Sequence, residues 1–262
     1  MNETPSGHPS AVRRVAVVTG ASSGIGRATV VELTRRGAQV LAVARRVDRL
    51  EELAAETGAV PHAGDLDSME ACEAVIEDAR RRLGPVSVLV NNAAAGSSYD
   101  SSVVDLDPER WRWMLAVNLD APMYLTRLAA RDMVAGGWGR IVMVSSTSAN
   151  IGEPASAAYC ASKAGLLGLM RAAAVDLGVH GVTCNAVLPG WVRTEMSDRS
   201  ARRESEATGA TVEQVWSRRA ASSSGGRLAT AEDVARVIGF LASDESAGVN
   251  GQAVTVAGSG LW

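Results

Sequence analysis

Cysteine is scarce in this sequence and carries no pattern. The three cysteines, Cys72, Cys160 and Cys184, lack metal-ligand spacing and leave an odd thiol, so a reduced, intracellular chain with no bound metal is expected. A basic surplus is missing too. The formal net charge of −3 argues against a nucleic-acid partner, because phosphate binding favours a basic face. No apolar run is long enough to cross a bilayer, which excludes a membrane span. The opening "MNETPSGHPS" has neither a basic start nor an apolar centre, so residues 1–10 read as a disordered tail and not as a signal peptide. A cytoplasmic location follows from these absences. No internal repeat or linker divides the chain.

What is present is an alternation. Hydrophobic residues make up 47% of the chain and charged residues 21%, enough for a large core and a hydrated surface. Many of the 26 glycines stand where a predicted strand turns into a helix. Strands are expected over 13–20, 38–44, 59–65, 86–94, 139–146, 182–190 and in "QAVTVAG" near the end. Helices are expected over 24–36, 47–58 (closed by Gly58), 68–83, 108–134, 157–179 and 231–242. The strands are continuous apolar runs, as in a parallel sheet covered on both faces. Strand–helix alternation implies right-handed crossovers and a doubly wound, Rossmann-type α/β fold of seven parallel strands in one domain over 11–262. The polar run 193–226 lies too far inside the chain for a tail and reads as a mobile substrate lid.

"TGASSGIG" (19–26) joins the first strand to the first helix. Gly20 allows a sharp turn, Gly24 a close backbone approach, and Gly26 close helix–strand packing. The helix N-terminus, with Ser22, Ser23 and Ile25, then faces a pyrophosphate. An acidic residue at the end of the second strand would bind the ribose 2′-hydroxyl of NAD. Here Ala44 stands at that place, followed by Arg45 and Arg46, whose guanidinium groups would attract a 2′-phosphate. NADP(H) is preferred and NAD(H) remains possible; the bland alternative is a basic start to a surface helix.

"SAAYCASKAG" (156–165) puts Tyr159 and Lys163 one helical turn apart, on one face. By itself this is either a reacting pair or an ordinary helix surface. Cys160 points about 100° away and reads as packing. Asn118 lies inside the long helix with Pro122 four residues later. Proline has no N–H, so the Asn118 carbonyl loses its helical donor, and the resulting kink could offer that oxygen to a water. The alternative is a plain kink with Asn118 directed into the core.

Together, "TGASSGIG", "NNAA", Ser146, "YCASK" and "PGWVRTEM" resemble the short-chain dehydrogenases/reductases, in the family's order, from about Arg13 to Gly258. The resemblance implies a catalytic tetrad of Asn118, Ser146, Tyr159 and Lys163, with Ser146 selected over Ser145 by its distance to the tyrosine. It implies that Asp65 and Leu66 meet the adenine and that Asn92 and Ala93 line the ribose and nicotinamide side. It implies that Pro189, Gly190, Val192 and Thr194 hold the carboxamide and phosphates. In that setting Lys163 would lower the pKa of Tyr159, which exchanges a proton with the substrate oxygen, and Ser146 would hydrogen-bond the same oxygen.

The substrate region is expected in 93–102, in "TSANIGEP" (147–154) and after Gly190, with Tyr99, Ser148, Trp191, Met196 and Trp216 as candidate lining. No arginine or lysine stands clearly beside the reacting centre, which favours an uncharged or bulky ketone. The resemblance extends to 3-oxoacyl-carrier-protein reductases, but Gly137 and His180 occupy the positions where those enzymes place carrier-docking basic residues. His8 and His62 have no partner in sequence. An NADPH-dependent ketone reductase of specialised or xenobiotic metabolism is therefore preferred. The competing readings are an NAD-dependent secondary-alcohol dehydrogenase, a carrier-protein reductase and a non-catalytic cofactor-binding scaffold. The family implies a homotetramer or homodimer, with contacts through the helices at 108–134 and 157–179 and the end "GSGLW".

Overall fold

The computed structural model describes residues 14–97, 100–223 and 225–258. The proposed tail, Tyr99 and the last four residues lie outside them. Seven parallel strands form one sheet: β1 (Val15–Thr19), β2 (Gln39–Ala44), β3 (Val60–Ala63), β4 (Val88–Asn91), β5 (Gly139–Val144), β6 (Val182–Pro189) and β7 (Ala253–Val256). Their spatial order is β3-β2-β1-β4-β5-β6-β7, so the order reverses between β1 and β4. A crevice opens at the carboxyl ends of the strands at that point, the usual ligand position in such sheets.

Strand periodicity explains why the central runs are apolar throughout. Along β1, Val17 joins one core cluster while Ala16 and Val18 join the other, on the opposite face. One layer holds α3 (Met69–Arg82), α5 (Ala121–Gly136) and α6 (Ala157–Gly178). The other holds α1 (Gly24–Arg35), α2 (Val47–Thr57) and α9 (Ala231–Leu241). Edge strands differ: β7 alternates exposed and half-buried residues, and β3 is four residues long with none fully buried.

The helix expected over 108–134 comes in pieces. It starts as α4 (Pro108–Leu115), widens into a π-helical turn over Ala116–Asp120, and resumes as α5. Within the turn the Ala121 N–H pairs with the Ala116 carbonyl five residues back. This is how the helix absorbs Pro122, which has no N–H to give Asn118.

The polar run after Gly190 folds into α7 (Glu195–Thr208) and α8 (Val212–Ala221), each opened by a capping box, at Thr194 and Thr211. Their shared apolar cluster centres on Ala201, Val215 and Trp216, with Trp191 and Leu228 packed against it. Arg219 is buried beneath them, its guanidinium 3.6 Å from the Trp191 ring and hydrogen-bonded to Glu204 at 2.9 Å. Trp216→Ala removes the centre of this cluster, at a local cost of about 3–5 kcal/mol. Hydrogen exchange is expected to accelerate across 195–221 while the amides of β1, β4 and β5 stay protected; equal loss of protection in the sheet would refute this separation.

Candidate active site

The turn after β1 admits no side chain where the chain is tightest. Gly20 has φ of +68°, and a Cβ at Gly26 would lie 2.2 Å from the Gly20 carbonyl oxygen. Asn92 braces this turn, donating its side-chain amide to the Thr19 carbonyl at 2.8 Å and the Gly20 carbonyl at 3.3 Å. The Thr19 hydroxyl accepts from the N–H groups of Asn92 and Ala93 at 3.0 and 2.9 Å. Ser23, at the N-cap of α1, makes no capping bond, so the first amides of the helix remain free for an anion.

A single cavity of about 640 Å³ runs from this turn along the strand ends. Gly20, Ser22, Ser23, Gly24, Ile25 and Gly26 line it, as do Arg45, Arg46, Asp65, Leu66, Asn92 and Ala93. Arg46 binds the Ser22 hydroxyl through Nε and Nη2 at 3.2 and 3.1 Å and Glu195 through Nη1 at 2.7 Å. Arg45 lies 3.7 Å from Asp65. Pro189, Gly190, Val192 and Thr194 form the far wall. The glycine cradle, the open helix end and two exposed guanidinium groups fit a phosphorylated dinucleotide.

Ser146, Tyr159 and Lys163 line the same cavity. Ser146 ends β5 and caps a short 3₁₀ turn, Thr147–Ala149. Its hydroxyl accepts from the Ser148 N–H at 3.1 Å and donates to the Ser148 hydroxyl at 3.0 Å. Ser145 points elsewhere, donating to the Lys163 carbonyl at 2.8 Å beneath α6. Lys163 is buried, with its ammonium donating to the Val144 carbonyl at 2.9 Å and lying 5.7 Å from the centre of the Tyr159 ring. Asn118 does not line the cavity, and its buried amide is consumed by Ala95 and Ser162, accepting from the Ala95 N–H at 2.7 Å and donating to the Ala95 carbonyl at 3.0 Å and the Ser162 hydroxyl at 3.1 Å. What Asn118 can offer the site is its main-chain carbonyl, left without an i+4 donor by Pro122. Cys160 is half-buried and does not line the cavity.

Two expectations need correction. The Tyr159 phenol lies above, not below, its ordinary value in this arrangement. Burial raises that group to about 12, against an opposing hydrogen bond with Ser146. Lys163 carries the cost of its own burial, which lowers it to about 8. Nor is the substrate end free of arginine: Arg110 and Arg199 both line it. Arg110 is held by Asp100 at 2.8 Å and by the Gly96 carbonyl at 2.9 Å, whereas Arg199 is exposed on α7. The Arg110 pairing joins residues whose approach is set by an irregular loop, which sequence spacing does not report.

Ser148, Trp191 and Met196 line the cavity, while Trp216 is buried behind Trp191, edge-to-face at 6.4 Å. Trp113, Val117 and Glu153 also line it and were not singled out by sequence. Glu153 sits within "TSANIGEP", so the stretch was legible although the residue was not.

Residues 14–205 match the family described as short chain dehydrogenase. The chain belongs to the short-chain dehydrogenase family. It is 36% identical over 250 residues to a 3-oxoacyl-(acyl-carrier-protein) reductase of Pseudomonas aeruginosa, spanning 94% of this chain and 96% of that one. It is 35% identical to an acetoacetyl-CoA reductase of Shinella zoogloeoides, over 94% of this chain and 97% of the relative. Among solved structures, an actinorhodin polyketide ketoreductase variant with NADPH superposes with a TM-score of 0.89 at 32% identity, covering 94% and 96% of the two chains. This short-chain dehydrogenase is thus an oxidoreductase acting on CH–OH or C=O groups with a nicotinamide cofactor.

The lowered Lys163 has a thermodynamic consequence. Its folded value of about 8 lies below the ordinary 10.5, so between these values the unfolded chain binds more protons and stability rises with pH. Lys163→Met removes that rise. Urea unfolding is expected to show wild type gaining about 2 kcal/mol on the variant between pH 7 and pH 10. A gap that stays constant with pH would refute a depressed lysine.

Proposed function

We propose that this enzyme reduces a ketone to a secondary alcohol with NADPH, Tyr159 delivering the proton. The observation that carries this reading is the convergence of Tyr159, Ser146 and Lys163 on the cavity that also contains the glycine turn. When bound, the nicotinamide supplies the hydride. Gly20, Ser22, Ser23, Gly24, Ile25 and Gly26 hold the pyrophosphate, and Arg45 and Arg46 meet the 2′-phosphate. Asp65 and Leu66 bound the adenine, Asn92 and Ala93 the ribose and nicotinamide side, and Pro189, Gly190, Val192 and Thr194 the carboxamide.

Ser146 turns its hydroxyl from Ser148 to the carbonyl oxygen and fixes its position. The Tyr159 phenol, protonated throughout the neutral range, gives its proton to that oxygen as negative charge develops there. The Lys163 ammonium then stabilises the phenolate and restores its proton. The Asn118 main-chain carbonyl is the acceptor through which water would link Lys163 to solvent. Ser148, Trp191 and Met196 shape the substrate end, with Tyr99 assigned there from sequence. Similarity to carrier-protein and CoA-thioester reductases supports a carbonyl substrate. Gly137 supplies no cation for an acidic carrier, which favours a free small molecule in specialised or xenobiotic metabolism. Exposed Val175 on α6 and Val179 at its C-cap, four residues apart, support assembly into a homotetramer through that face.

Tyr159→Phe is expected to lower kcat for ketone reduction by about 10²–10⁴-fold with cofactor affinity retained, as seen by nucleotide fluorescence titration. Unchanged turnover would overturn the assignment. Arg46→Ala is expected to weaken NADPH binding about tenfold or more while leaving NADH binding within a factor of about three. Equal losses for both nucleotides would remove the basis for NADP(H) selection.

A further inference from the structure

Glu153 is an unexpected group at the substrate end of a cavity otherwise read as apolar. It stands two residues before Ala155, which has φ of +50° and is the one described non-glycine residue with positive φ. Glu153 meets the turn that Ser146 caps. Its Oε1 accepts from the Ser148 hydroxyl at 2.7 Å, and the Ser148 hydroxyl accepts from Ser146 at 3.0 Å. A carboxylate therefore stands two hydrogen bonds from the hydroxyl that meets the reacting oxygen. Its field reaches Tyr159, where it helps raise the phenol.

Only Oε1 of the carboxylate has a hydrogen-bond partner among the described residues. Among the described residues, Ser148 is the sole side-chain partner of Glu153, while the residue itself lines the cavity. The cations nearby are engaged or lie outward. Arg110 is held by Asp100 and Gly96, Arg219 is paired with Glu204 behind Trp191, and Arg199 is exposed on α7.

We propose that Glu153 is a specificity-determining residue. Its free oxygen accepts a hydrogen bond from a hydroxyl or ammonium group on the carbon α or β to the reacting carbonyl, and its charge turns away oxo acids. The substrate class is thus hydroxy or amino ketones. This rests on the ketone-reductase reading and names the substrate of that site.

The test compares three ketones of equal length, one unsubstituted, one bearing an amine and one a carboxylate, with NADPH and the full-length enzyme. Glu153→Gln retains an acceptor for Ser148 and removes the charge. Wild type is expected to prefer the amino ketone to the oxo acid by about tenfold or more in kcat/KM. In Glu153→Gln that ratio, taken within the variant so that any loss common to all three ketones cancels, is expected to fall at least about tenfold. An unchanged ratio in a variant active on the unsubstituted ketone overturns the role of Glu153 and leaves the reductase reading intact. A wild type that reduces none of the three overturns the reductase reading, and this inference with it. Should the variant not fold, competitive inhibition of wild type by aliphatic amines and carboxylates decides, and tighter inhibition by carboxylates overturns the proposal.

Discussion

The close approach of α1 to the end of β1 is the constraint on which the rest of the site depends. Gly26 packs so tightly on the Gly20 carbonyl that a Cβ there would overlap backbone, which cannot yield as the end of a flexible side chain can. Because the helix enters at that distance, its first amides stand over the strand ends and not to one side of them. Asn92 and the Thr19 hydroxyl then tie the loop after β4 to the same turn. Two strands that are far apart in sequence thereby end at a fixed separation, and this is where the strand order reverses. The crevice is a product of topology, but its dimensions are set by one missing methyl group and a few hydrogen bonds.

That constraint also explains which features were legible. "TGASSGIG" declares its geometry in its residue types, because only glycine meets the steric condition, and the apolar runs of β1, β4, β5 and β6 declare double-sided burial. Tyr159 and Lys163 are legible as a pair because helical periodicity converts a spacing of four into a shared face. Asn92 shows the limit: position in the cavity follows from its motif, yet its amide is spent on bracing the turn. The π-turn was half legible, since Pro122 implied a lost donor but not the local widening that accommodates it. Glu153 was not legible as an individual, because its contact with Ser148 forms across an irregular loop whose path no residue type declares.

Segment 195–221 makes the same point from the other side. Its composition is polar enough to read as a mobile lid, yet Trp216 and Arg219 give it a small interior in which a cation stacks on two indoles. Trp191 belongs at once to that interior and to the cavity wall. The wall beside the substrate is therefore supported from behind by a charge pair, Arg219 with Glu204, rather than by the sheet.

Electrostatics around the reacting centre has the same divided character. Burial acts on Tyr159 and Lys163 in opposite directions, holding the phenol protonated and making the ammonium easier to discharge. Each therefore favours its neutral form more than it would in water. A negative charge developing on a substrate oxygen reverses that preference for Lys163, because the ammonium then gains an anion to face in a poorly solvated place. The cost of burying Lys163 is borne in the folded state, and its return is a site that discriminates between neutral carbonyl and developing alkoxide. Glu153 enters this balance from the far side of Ser146, where a fixed negative charge opposes a substrate anion and favours a substrate cation.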